Sequence, residues 1–473
     1  MKRVIKNTIY VILWLALALG SLWTLNRVFI VKNREGVTNM QDFYAQEKNS
    51  IDVLLLGSSH CGMNLDTATL WSEYGMASYA LWGSVQPFWN SYHFLVEALK
   101  TQTPKAVVLE TYAAIFWQEY GHEEGQVINT AGMRPSLNKW EAVKVSAPQE
   151  RWLDLFFGLP LYHERFSDLS QDDYEHFPWT EGLILDKGSL PSYSSHRTVK
   201  PAGSLDTQEV AQLLDKEEEY LRKIISLCQS RDIPILLIKT PINGLYLQDQ
   251  QPYYNRVAEI AEEYGVPFCN LNLLCDEIGL SEEDFAIDDN HLNIKGARKS
   301  TLRLGQELQA LCNIPDRRED PKYASWEENA RQIQFPQPGV FQDTQSLIEE
   351  LLRRDWTLFV ATTGKLSNSA ANVLSALGIP DFPAEGEKAW LLSSTQQGNW
   401  IEATQSGALF TVNADGLDVT AQITGWTWIM ANGFEVSNMQ ECDAVLGIFD
   451  TETKQCVDVV QLRGNGLTPK HLM

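Results

Sequence analysis

The sequence predicts an α/β protein: a parallel sheet covered by helices on both faces, preceded by an apolar helix and followed by a smaller mixed α/β unit. Three observations carry this. First, Val53-Leu54-Leu55-Leu56 runs without polar alternation and stops at Gly57, the pattern of a strand buried on both faces. Second, comparable runs recur downstream with helical spacing between them, the alternation expected of parallel α/β sheets. Third, 473 residues exceed one ordinary domain. A polar stretch carrying Pro315, Pro321, Pro336 and Pro338 marks a boundary.

The chain opens with Lys2, Arg3 and Lys6, followed by a nearly unbroken apolar run from Ile9 to Leu25. That run approaches the ~20 residues a helix needs to cross a bilayer, and Trp14, Trp23 and Phe29 suit its interfaces. A cleaved signal peptide is the rival reading, but no clear small-x-small site follows, which favours an uncleaved anchor over residues 1–30. The basic residues before the run slightly outweigh Arg27, Lys32 and Arg34 after it. The expectation is an inside amino terminus, with the main body on the extracytoplasmic side.

Strands are expected at Ile51 to Leu56, Ala77 to Trp82, Lys105 to Glu110, Ile233 to Lys239 and Val266 to Asn270. Helices are expected at Trp89 to Lys100, Thr207 to Arg231 and Tyr253 to Tyr264. An insertion from about 113 to 204 interrupts the rhythm and carries Trp117, Tyr120, Trp140, Trp152, Tyr162, Trp179 and Tyr193. Such aromatics either line a sugar site or pack a lid onto its own domain.

Ser58, Ser59 and His60 follow the first strand, at the carboxyl edge where open α/β sheets hold ligands. Gly-Ser-Ser is also ordinary turn composition, and a second Ser-His pair stands at Ser195-His196 with no strand before it. After the fifth strand comes Asp288-Asp289-Asn290-His291, leading into a helix that ends near Cys312. An Asp three residues before a His on a turn can hold the imidazole's tautomer, and the imidazole can then take a proton from a serine hydroxyl. The rival reading is that Asp288 or Asp289 caps the helix. A second D-x-x-H, Asp173 and His176, lies inside the insertion without a preceding strand.

From Asn313 to about Gly339 the chain reads as a linker. Beyond it, Thr344 to Arg354 and Ser369 to Leu377 have helical spacing, Trp356 to Thr362 reads as a strand, and Ala444 to Phe449 with Val457 to Leu462 as a hairpin. The charge balance of -23 opposes nucleic-acid binding. Seven cysteines without CxxC pairs give no zinc signature and no dense disulfide framework, and no cofactor is expected.

Val53 to His60 together with Asp288 to Gly296 resemble the first and last motif blocks of the SGNH (GDSL-type) hydrolase superfamily. The resemblance implies a three-layer α/β/α domain over 31–314, with Ser59 as nucleophile and Asp288 and His291 completing a Ser-His-Asp triad. It also implies an oxyanion hole from the N–H groups of Ser59 and Gly83. The third block departs from the family, because Val107 to Thr111 lacks Gly-x-Asn-Asp, so the side-chain donor to the oxyanion has no counterpart. With its anchor and Gly57-Ser58-Ser59, the chain is similar to D-alanyl-lipoteichoic acid transfer and alginate-type O-acetylation proteins. That similarity implies an acylated glycan or envelope polymer as substrate and a membrane-bound acyl-transporting partner.

After a linker at 315–339, residues 340–473 resemble the interleukin-like EMT inducer (ILEI) domain through Ile348 to Leu351, Trp356 to Val360, Leu377-Gly378 and Leu446 to Asp450, with the hairpin after the helices instead of before. The expectation is a surface-anchored serine acyltransferase or esterase. The alternative is an inactive SGNH-type scaffold that binds carbohydrate through its second unit.

Overall fold

The computed structural model describes residues 2–170, 173–174, 187–193, 197–201, 207–286, 288, 290–334, 341, 343–353, 356–362, 367–378, 388–393, 396–401, 409–414, 417–424, 426–431, 434–435, 444–451, 456–462 and 470–471. It opens on α1 (Lys2–Phe29), a helix of 28 residues. At ~1.5 Å per residue it spans about 42 Å, against the ~30 Å of a bilayer's hydrocarbon. Its stretch from Ile5 to Phe29 is long and apolar enough to cross a membrane, and Ile9, Leu13, Leu17 and Leu22 stand exposed along it. A short helix, α2 (Asn39–Ala45), follows.

The first unit then alternates β1 (Val53–Gly57), α3 (Ser59–Asn64), α4 (Thr67–Tyr74), β2 (Ser78–Trp82), α5 (Phe88–Ala98) and β3 (Ala106–Glu110). The insertion after β3 folds as α6 (Glu123–Ala131), α7 (Leu137–Ser146), α8 (Trp152–Phe157) and α9 (Leu159–Tyr162). The alternation resumes with α10 (Asp215–Gln229), β4 (Ile235–Lys239), α11 (Gly244–Tyr264), β5 (Phe268–Asn270) and α12 (Ile294–Leu311). The five strands form one parallel sheet in the order β2-β1-β3-β4-β5.

Because side chains alternate across a strand, the aliphatic runs feed two cores at once. Leu54, Leu56, Val107, Leu109 and Leu237 pack on one face, and Val53, Leu55, Val108, Leu236 and Ile238 on the other. With helices on both sides no strand position needs to be polar. Each fully buried aliphatic chain contributes roughly 1.5–3 kcal/mol, so a Leu55→Ala change should cost about 2–5 kcal/mol.

Two helices differ from expectation. Helix α10 starts at Asp215, because Asn255 binds the carbonyls of Thr207 and Glu209, and the Ala211 N–H bonds the Pro252 carbonyl. The backbone of 207–214 is thus held by α11. Helix α11 itself begins at Gly244 and runs through Pro252.

The stretch expected to be a linker is corrected in its first part: residues 315–334 belong to the first unit. Arg317 grips Asp52 with two bonds of 2.8 and 3.0 Å. Helix α13 (Ala324–Gln334) packs on α4, burying Tyr323 and Trp326 beside Trp71. Residues 335–340 lie outside the described residues.

The second unit comprises 193–195 and 335–473. It holds α14 (Thr344–Arg353), β6 (Trp356–Thr362) and α15 (Asn368–Ala376). Strands β7 (Lys388–Ser393), β8 (Gln396–Ile401), β9 (Leu409–Ala414), β10 (Leu417–Thr424), β11 (Trp426–Ala431), β12 (Phe434–Glu435), β13 (Ala444–Asp450), β14 (Cys456–Leu462) and β15 (Lys470–His471) complete it. They form antiparallel sheets ordered β15-β14-β13-β6-β7-β8 and β12-β11-β10-β9. Leu347 and Leu351, one turn apart on α14, pack with Leu358, Val360, Leu374, Leu446 and Val460.

Candidate active site

In the sheet order, the chain steps one way from β1 to β2 and then crosses back over β1 to β3 and onward to β4 and β5. That reversal opens a crevice at the carboxyl ends of β1 and β3, where ligands of open α/β sheets sit. Ser58 and Ser59 lie there.

The turn out of β1 demands a glycine. Gly57 has φ +152°, and a Cβ on it would lie 2.8 Å from the Glu110 Cβ. Ser58 then caps α3, its Oγ accepting from the His60 N–H at 3.4 Å. Ser59 occupies the first helical position, where backbone N–H groups lack intrahelical acceptors.

Ser59 Oγ lies 2.8 Å from His291 Nε2, and His291 Nδ1 lies 2.7 Å from Asp288 Oδ2. An ionised carboxylate only accepts, so Nδ1 carries the proton and the Nε2 lone pair faces the serine hydroxyl. Asp288 also accepts from the backbone N–H groups of Asn290 and His291. Partial burial works to raise its pKa, but these hydrogen bonds and the imidazole's charge prevail and hold it at about 2. Asn293, not Asp288, caps α12, accepting from the N–H groups of Lys295 and Gly296. Asp289 lies outside the described residues.

His60, the histidine nearest Ser59 in sequence, is fully buried and engaged elsewhere. Its Nδ1 lies 3.0 Å from Asn64 Nδ2, and its Nε2 lies 3.4 Å from Asn290 Nδ2. Its ring stacks on Tyr112 with centroids 3.9 Å apart and lies 4.7 Å from the His291 ring. Burial, reinforced by the charges of Lys239 and His291, pushes its pKa well below the usual value, so it is a neutral ring beside His291.

Gly83 leaves β2 beside Ser58, because Gly57 and Trp82 are paired in the sheet. A Cβ on Gly83 would meet Asn129 Oδ1 at 2.0 Å. Asn129 Nδ2 donates to the carbonyls of Ser84 and Gly125, so this amide fixes the loop. At the end of β3, Glu110 forms a fully buried ion pair with Lys239 at 3.0 Å and accepts from the Tyr112 N–H at 3.0 Å. The sequence offered no signal for that pair, nor for Asn64, which also accepts from the Leu292 N–H at 2.8 Å and ties α3 to the loop carrying His291.

The other candidates part company with the site. Asp173 is bound to Lys32 and Arg165. His176, Ser195, His196 and Trp179 lie outside the described residues. Trp140 packs edge-on against Trp152 and Phe156, inside the insertion's own helices. Six cysteines are described, all as free thiols. Among the described residues no group of three His, Cys, Asp or Glu side chains converges as a metal site.

No family model matches the chain, the second unit included, and no curated protein matches it. Among solved structures, the chain is similar to a Bacteroides fragilis protein described as a candidate acylhydrolase. The two are 10% identical with a TM-score of 0.30, over 57% of this chain and 94% of that one. What the site can do therefore rests on its own geometry.

Proposed function

We propose that this chain is a serine-dependent ester hydrolase or O-acyltransferase, with Ser59 as nucleophile, His291 as general base and acid, and Asp288 as the group that orients it. The observation that carries this reading is the unbroken relay from Asp288 Oδ2 through His291 to Ser59 Oγ, with bonds of 2.7 and 2.8 Å. As Ser59 Oγ attacks an ester carbonyl, its proton passes to His291 Nε2, and Asp288 steadies the imidazolium. The oxyanion meets the N–H groups of Ser59 and Gly83. His291 returns its proton to the leaving alkoxide, leaving acyl-Ser59. Water or a sugar hydroxyl then attacks that ester while His291 takes the incoming proton and passes it to Ser59 Oγ as the acyl group leaves, and the two outcomes are hydrolysis or transfer.

The apolar α1 supports placing this chemistry at a membrane surface. On that reading the body lies outside the cytoplasm and the acceptor is an envelope or extracellular glycan, with the acyl group supplied by a membrane partner. One observation favours a second reading, an inactive glycan-binding scaffold: the block from Val107 to Thr111 lacks the family's Gly-x-Asn-Asp, and its Glu110 is locked to Lys239. A fluorophosphonate probe on the full chain in detergent separates the two. Covalent label mapped to Ser59, followed by turnover of an activated acetyl ester, is expected. A wild-type chain labelled no faster than Ser59→Ala would remove the enzymatic reading.

A further inference from the structure

Where the last turns of α1 meet the insertion there is a cavity of about 1340 Å³. This exceeds the ~300–1,000 Å³ usual for small-molecule pockets. Its outer wall is Leu19, Leu22 and Trp23 of α1 with Phe157 of α8, all largely exposed apolar side chains. Its inner wall carries Arg27, Arg134 and Lys139, and no acidic side chain lines it. On a chain of net charge -23, a cavity lined by three cationic and no acidic side chains is a departure.

Lys139 makes the case specific. It is 2% exposed, yet among the described residues no carboxylate or hydrogen-bond acceptor meets its Nζ, whose neighbour is the Phe156 ring at 5.8 Å. Burial alone pushes its pKa down to about 8, with no anion raising it. The Arg134 guanidinium sits over the Tyr44 ring, 4.1 Å from its centroid, a cation–π contact that favours this position. A buried ammonium without a counter-charge is costly, and an anionic ligand group would relieve that cost.

We infer that this cavity is a binding site for a phospholipid with an anionic headgroup, the phosphate held by Lys139, Arg134 and Arg27 and the acyl chains lying along Leu19, Leu22, Trp23 and Phe157. A lipid is the occupant because the cavity's outer wall is the apolar α1 itself, so chains leaving it continue along a segment fit for a bilayer. The site rests on reading α1 as a membrane segment and is independent of Ser59.

The test uses the full chain in nanodiscs holding equal phosphatidylglycerol and phosphatidylcholine, with retained lipid read by native mass spectrometry. Phosphatidylglycerol should be retained at least tenfold over phosphatidylcholine, and Lys139→Met should abolish that preference. This variant replaces an unpaired buried charge with an apolar chain of similar length, so loss of folding does not confound it. Equal retention of both lipids overturns the site, as does undiminished preference in Lys139→Met. Displacement of phosphatidylglycerol by millimolar inorganic phosphate would mean a simple anion site, and retention of neither lipid with dimer formation would mean a second copy as occupant. Either overturns the lipid. A chain that fails to enter nanodiscs sinks the membrane reading as well, whereas entry without selectivity sinks this one alone.

Discussion

His291 Nε2 stands 2.8 Å from Ser59 Oγ across 232 positions of sequence, while the neighbouring Ser58 hydroxyl faces the His60 N–H and the Glu110 carboxylate. Two adjacent serines thus have separate partners, and on the proposed function substitution should separate them. Ser59→Ala should lower turnover of an activated acetyl ester on the order of 10⁴- to 10⁶-fold, with His291→Ala close behind. Asp288→Asn should lose roughly 10- to 100-fold less. Ser58→Ala should cost about 1 kcal/mol of cap stability and keep turnover. If Ser58→Ala abolished turnover and Ser59→Ala kept it, the assignment would be reversed.

Gly83→Ala tests the proposed second oxyanion donor. Its Cβ would fall 2.0 Å from Asn129 Oδ1, so the loop must shift and carry the N–H away. A loss of about 10²-fold in kcat with little change in KM is expected, the size seen when one such donor is removed. A KM effect alone would mean that Gly83 only shapes the pocket.

The Glu110–Lys239 pair is a structural liability if broken on one side. Lys239→Met leaves a buried carboxylate without its cation and should destabilise by about 3–5 kcal/mol. The double variant Glu110→Gln/Lys239→Met keeps an acceptor for the Tyr112 N–H and should recover most of that loss. Tm values of the single and double variants decide it, and no recovery in the double variant would mean that the pair's charge is not what matters.

The stability contributed by keeping His60 and His93 neutral should fall as pH drops through about 6.5, the usual histidine pKa, while the buried carboxyls of Asp42 and Glu217, raised by burial, work the other way. His60 and His93 have pKa values lowered by burial, so both stay neutral in the fold and take up protons only on unfolding. At these two histidines the unfolded state then binds more protons below that pH, worth about 1.4 kcal/mol per pH unit for each group. In urea titrations of the full chain in detergent between pH 7.5 and 5.5, His60→Gln should flatten the slope by about one proton. An unchanged slope would mean that His60 is charged in the native state.

With the amino terminus inside, protease added to intact cells should remove everything beyond about Arg34. Protection that disappears only on permeabilisation would place the body in the cytoplasm.

By itself the sequence determined the sheet. Strands buried on both faces must be apolar at every position, so Val53 to Leu56, Val107 to Leu109 and Ile235 to Ile238 were legible as uninterrupted runs. It also marked Gly57-Ser58-Ser59 and Asp288 to His291 as candidates, because both follow strands at the carboxyl edge of the sheet, where open α/β folds gather their ligand-binding residues. What it could not determine were features whose partners are distant in sequence. The linker-like stretch from 315 to 334 carries prolines and charges that are local signals, whereas its burial depends on Trp71 waiting on α4. Glu110 meets Lys239 across 129 positions, and no local pattern marks either as half of a buried pair. The cationic cavity has walls from α1, α2, α7 and α8. Spacing along a chain reports which face of an element is apolar, but only the packed fold brings separate faces together and leaves a charge such as Lys139 without its counterpart.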